Sequence, residues 1–307
     1  MTRRNHTGTG TGTHTTATLR RALRRDTTST LALLADGEDF AAMRRYTTFP
    51  FDDHPRYLAH AEALLKSLAT TGGHTTVVLF DPEEYADYCA ATGLDPDHPT
   101  SRARYAADTA ATGAGVTYTG QPLDTLVPLL IDIAVRHATW EYATTLLDEA
   151  GTCADCGQDI GRASYDRAGR LLLRLLDAAG PGTHHLVCSV PAEDDQLVAV
   201  LRATRDDTGP ARLDRTEAAE FASVLAAGIA RGTPGGLVLR TATPGAPDRL
   251  HGWRLRDGRL DPLTEAEVFD AYCTDALTGE PIAPESHADY RAGFPLDPDD
   301  HPHSHPH

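Results

Sequence analysis

Aromatic residues, lysine and long apolar runs are all scarce in this chain. Phe, Trp and Tyr together make up 6% of it, so a core has to be assembled mainly from Leu, Val and Ala. Lys66 is the only lysine among 28 basic residues. With so much Ala, Asp, Thr and Gly beside it, this reads as GC-rich coding bias and carries no message about arginine chemistry. The most apolar stretch, Leu126 to Val135, contains Asp132 and falls far short of the roughly 20 residues of a membrane helix. The polar start Met1-Thr2-Arg3-Arg4-Asn5 lacks the apolar segment of a secretory signal. These absences predict a cytoplasmic protein with reduced thiols and no membrane partner.

Several motifs of well-known chemistry are missing as well. No strand is followed by G-x-x-x-x-G-K-[ST] or G-x-G-x-x-G, so phosphate-cradling loops of those kinds are excluded. There is no nucleophile elbow and no H-E-x-x-H. Enzyme chemistry is therefore not announced by any single motif.

Negative charge is in surplus, with a formal net charge of −16. Its distribution is uneven, because residues 1–26 hold Arg3, Arg4, Arg20, Arg21, Arg24 and Arg25 against one acid, Asp26. The remainder is thus more acidic than the whole. An acidic body repels phosphate backbones, which argues against a nucleic-acid-binding core and leaves only the basic arm for such contacts.

The five cysteines supply the most specific pattern. Cys153 and Cys156 are followed, one helix later, by His185 and Cys188. Two pairs, each with two residues between its members, offer the four donors of a closed tetrahedral zinc site. Such a site is structural, since it leaves no open position for substrate. His184 and Cys273 are alternative ligands, and unliganded thiols or a redox pair are the competing readings. Cys89 occupies an apolar helical position and reads as core. His137, alone on an apolar face, reads as a packed histidine at the rim of the core.

The chain is long enough for two domains. Residues 1–26, with a Thr-Gly repeat, read as a disordered basic arm, and residues 296–307 as a disordered His-rich tail in which His301, His303, His305 and His307 are weak metal ligands at most. Residues 27–150 read as a three-layer α/β domain with a mainly parallel sheet. Residues 151–190 read as the zinc-binding connector, and 191–295 as an α+β domain with an antiparallel sheet. Asp36-Gly37 marks a turn followed by a strand or a short helix. Asp53 and Asp81 are placed as helix caps, and Thr264 caps a later helix.

Ligands of parallel sheets gather beyond the carboxyl ends of the strands. Here that edge is predicted to collect the loops Thr47–His54, Asp81–Glu84 and Thr119–Gln121. Asp52, His54 and Asp81 are then the catalytic candidates, Asp81 having a second reading as a helix cap. The sequence leaves function undetermined. Its best reading is a zinc-stabilised binding or regulatory protein with a protein partner or small ligand. The alternative is an enzyme acting on a small phosphorylated or nucleotide-like ligand at the sheet edge.

Overall fold

The computed structural model describes residues 29–70, 74–193, 195–275 and 278–296. The expectations for the basic arm and for residues 297–307 fall outside them. The fold is mixed α/β with two mixed sheets. The chain divides between His137 and Ala138 into two compact units. Among the described residues no helix is long and apolar enough to cross a membrane.

The first unit opens with β1 (Ser29–Leu33) and α1 (Gly37–Met43). The segment after Asp36 is helical because the Asp36 carboxylate accepts the amides of Glu38 and Asp39, each at 2.9 Å. Two donors that a helix start leaves open are satisfied in this way. Helix α2 (His54–Thr70) buries Tyr57, Ala61 and Leu65, and Asp53 accepts the Arg56 amide at 2.9 Å. Strand β2 (Thr75–Leu79) is followed by α3 (Pro82–Thr92), capped by Asp81 and closed at Gly93 with φ 68°. Then come α4 (Pro99–Ala111), β3 (Gly115–Thr117) and α5 (Leu123–Glu149).

The sheet order is β1-β2-β3. Strands β1 and β2 are parallel, whereas β3 runs antiparallel to β2, Thr117 lying beside Thr76. The expected mainly parallel sheet is therefore a mixed one. Two helices, not one, separate β2 from β3. The first carries the chain away from the carboxyl end of β2 and the second brings it back, so β3 has to run in the opposite sense. Val77 and Val78 are both wholly buried, which shows that both faces of β2 are covered. Cys89 is buried in this core, as its helical position implies. His137, half-buried near the end of the unit, has Nε2 3.3 Å from the Thr112 carbonyl.

The second unit is built on a sheet of seven strands. In chain order these are β4 (Gly182–Ala192), β5 (Asp195–Arg205), β6 (Arg212–Leu213), β7 (Gly235–Ala242), β8 (Asp248–Arg256), β9 (Arg259–Pro262) and β10 (Ala288–Tyr290). The spatial order is β10-β8-β7-β4-β5-β6, with β9 on β8. All pairings are antiparallel except β10 with β8. Helices α6 (Ile160–Ala179) and α7 (Arg215–Arg231) share its main core. That core joins Leu172, Leu175 and Leu176 of α6 to Phe221, Val224 and Leu225 of α7, with Leu186, Leu201, Leu239 and Trp253 from the sheet. Close approach of α7 depends on Gly228, where a Cβ would lie 2.6 Å from Leu255 and 2.9 Å from Val190. Helix α8 (Glu265–Tyr272) starts with the reciprocal cap of Thr264 and Glu267.

Candidate ligand-binding site

The first unit contains a cavity of about 380 Å³ at the outer edge of β1. Among the described residues strand β1 pairs on one side only, through Ser29 and Leu33 among others, so alternate backbone groups face away from β2. Tyr57 satisfies part of this free edge: its hydroxyl accepts from the Leu34 amide at 3.1 Å and donates to the Ala32 carbonyl at 3.4 Å. His54 Nε2 adds a contact to the Leu34 carbonyl at 3.1 Å. Burial holds the Tyr57 phenol above its ordinary pKa, so it remains a neutral donor and acceptor.

Apolar walls come from β1, α2, α4 and the loop before α2. Phe49 and Phe51 of that loop are packed ring against ring at 5.4 Å, and Phe51 meets Tyr57 edge-on at 5.1 Å. Thr30, Tyr57, His60 and Arg102 supply the polar part of the lining, which contains no carboxylate among the described residues. His60 already engages the Arg56 carbonyl through Nδ1 at 2.7 Å.

Arg102 is the unusual group. Its Nη2 donates to the Thr48 carbonyl at 3.2 Å and the Thr48 hydroxyl at 3.0 Å. Its Nη1 is buried and has no partner among the described residues. A guanidinium nitrogen removed from water without an acceptor is costly, by about 1–3 kcal/mol or more for a charged group. The Thr48 partner is itself fixed by Asp97. That carboxylate accepts the Thr47 hydroxyl at 2.5 Å and the Thr48 amide at 2.8 Å. The Thr47 hydroxyl bond first, and the Thr48 amide second, hold the Asp97 carboxyl down to about 2, so it stays ionised and keeps the loop in place.

The structure separates the residues expected at the sheet edge. Asp81 lies at the carboxyl end of β2 and spends its carboxylate on the amides of Glu83 and Glu84 at 2.8 and 3.0 Å. His54 reaches the carboxyl end of β1 through Leu34. Asp52 is exposed in the loop before α2 and is not part of the cavity lining. Thr119–Gln121 follow an antiparallel strand and so lie at the opposite end of the sheet, where Gln121 accepts the Thr119 amide at 2.6 Å. The expected meeting of three loops is thereby corrected to two. The edge instead gathers Asp36, Asp39 and Asp81. Partial burial, and then the charges of Asp36 and Asp81, push the Asp39 carboxyl up to about 6.

The four expected zinc ligands are distributed as follows. Cys153 and Cys156 share one turn before α6, closed by Gly157 N–H to the Cys153 carbonyl at 2.8 Å. His185 and Cys188 lie on β4, where an interval of three puts them on opposite faces. Cys188 is fully buried in the α6–α7 core, and burial pushes its thiol up to about 12. His185 stands on the other face between Arg202 and Arg240, and burial followed by those two cations lowers its pKa. His184 uses both ring nitrogens, on the Thr241 hydroxyl at 3.1 Å and the Gly180 carbonyl at 3.0 Å. Cys273 is buried beside the Tyr290 hydroxyl at 3.6 Å. Among the described residues no group of three or more His, Cys, Asp or Glu side chains is placed to hold a metal ion.

The sequence points to the loop Thr47–His54 but not to Phe49 and Phe51 within it. The Phe49-Pro50-Phe51 triplet, aromatic in an aromatic-poor chain, was the available signal. Arg102 gave none, being one arginine of many on a helix. No curated protein matches the chain, and neither does any solved structure. Residues 18–121, which include every residue lining the cavity, match the family described as a domain of unknown function, DUF8829.

Proposed function

We propose that the first unit binds a small anion with an apolar body, a carboxylate in particular, and that this protein acts by binding. The observation that carries the proposal is Arg102, which lines a cavity without acids among the described residues and whose buried Nη1 has no partner among them. A carboxylate matches a guanidinium in shape and charge and would supply the missing acceptor. The rings of Phe49, Phe51 and Tyr57 suit an aromatic or short aliphatic body. The volume lies within the roughly 300–1,000 Å³ of small-ligand pockets.

The alternative of a phosphorylated ligand at the carboxyl edge of the sheet is less well supported. Asp36, Asp39 and Asp81 lie there, and burial, followed by the charges of Asp36 and Asp81, already raises the Asp39 pKa. A phosphate would add to that repulsion.

The test is a thermal-shift panel on the full chain, with short aliphatic and aryl-alkanoic carboxylates set against alcohols and amines of the same skeleton. Specific binding to the native state raises the melting temperature. Carboxylates should do so and the neutral and cationic analogues should not. Equal responses from all three, or none from any, would refute the reading.

A further inference from the structure

We infer that Cys153 and Cys156 form a redox-active dithiol that closes to an internal disulfide by exchange with a low-molecular-weight disulfide such as oxidised glutathione. The inference rests on the turn they occupy. Gly157 N–H bonds the Cys153 carbonyl at 2.8 Å, and Cys153 N–H bonds the Gln158 carbonyl at 2.8 Å. Gly157 adopts φ 69°, a conformation that glycine takes at little cost. A bridge between Thr152 and Asp159 pins the base of the turn, next to the first residue of α6.

The closing bond spans four residues, as in one helical turn. Helix geometry puts residues three apart on such a turn about 5 Å from Cα to Cα. A disulfide requires about 4.4–6.8 Å between Cα atoms, a span that such a turn provides. The Cys153 sulfur also accepts hydrogen bonds from the amides of Cys156 and Asp155 and from the Cys156 thiol. The thiolate is the form that attacks a disulfide. Accessibility separates this pair from the others: Cys156 is exposed and Cys153 half-exposed, while Cys89, Cys188 and Cys273 are buried.

The exchange balances in two steps. The Cys153 thiolate attacks one sulfur of oxidised glutathione, forming a mixed disulfide and releasing one glutathione thiolate. Cys156, losing its proton to solvent, then attacks the Cys153 sulfur and releases the second glutathione. The protein loses two electrons and two protons, and glutathione disulfide is reduced to two thiols.

The test uses the full chain incubated with oxidised glutathione, quenched by alkylation and read by peptide mass. The wild type should lose two hydrogens across Cys153 and Cys156 and retain no glutathione. Cys156→Ser should accumulate one glutathione on Cys153, because the resolving thiol is gone. Cys153→Ser should react at Cys156 at least several-fold more slowly than wild type reacts. Both positions are accessible, so neither variant threatens the fold, and alkylation of the three remaining cysteines only after denaturation provides the control. Three outcomes would overturn the inference: both thiols unmodified, a stable glutathione adduct on the wild type, or co-purified zinc that shields both thiols until a chelator removes it.

Discussion

The Tyr57 hydroxyl lies 3.1 Å from the Leu34 amide and accepts its proton, tying α2 to the free edge of β1. An unpaired strand edge is an open row of donors and acceptors. Among the described residues one phenol, rather than a further strand, satisfies part of it. Tyr57→Phe should therefore cost about 1–3 kcal/mol, the range for a buried donor left without its acceptor. Urea unfolding of the two proteins measures the difference, and an unchanged midpoint would show that water replaces the hydroxyl.

Asp39 gives the fold a defined response to pH. Its folded-state pKa of about 6 lies above the ordinary 3.8. Between those values the unfolded chain has released a proton that the folded chain still holds. Stability contributed by this group therefore falls as pH rises from about 4 to 6 and stays lower above that. Asp39→Asn should be more stable than wild type at pH 7 and equal to it below about pH 3.8. The gain should remain under about 1 kcal/mol, because the side chain is only half-buried and solvent screens its neighbours. Melting curves at several pH values decide the matter, and a variant less stable at pH 7 would contradict it.

Gly228 is the point of closest approach between α7 and the second sheet. A side chain there would run into Leu255 and Val190. Gly228→Val should overpack this contact and cost about 1–3 kcal/mol. Gly232, at φ 61° just beyond the same helix, faces open space and provides the contrast. Gly232→Asn should be tolerated, since Asn accepts the left-handed conformation better than other side chains. Equal losses at both sites would mean that packing is not what selects Gly228.

How much of this was legible in the sequence depends on how local each cause is. Asp53, Asp81 and Thr264 cap helices because a side chain three residues or fewer from an open amide needs nothing else. The direction of β3 was harder, since it follows from counting the helices between two strands and not from β3 itself. His185 and Cys188 show a limit of spacing arguments. An interval of three brings side chains together on a helix and sends them to opposite faces of a strand. Arg102 was out of reach altogether, because its surroundings depend on Thr48 and Asp97, which meet across 49 positions of chain.

The central claim is that Arg102 recognises an anion in the cavity of the first unit, and titration calorimetry tests it most directly. The carboxylate giving the largest thermal shift would be titrated into wild type and into Arg102→Gln. The substitution keeps hydrogen-bonding capacity toward Thr48 but removes the charge. The account predicts measurable binding to wild type and a loss of at least about tenfold in the variant, the change expected when a charge-assisted bond worth about 1.5–3 kcal/mol is lost. The variant should keep the wild-type melting temperature or exceed it, because it no longer buries an unpaired guanidinium nitrogen. Equal affinity in the two proteins, with the variant folded, would contradict the account.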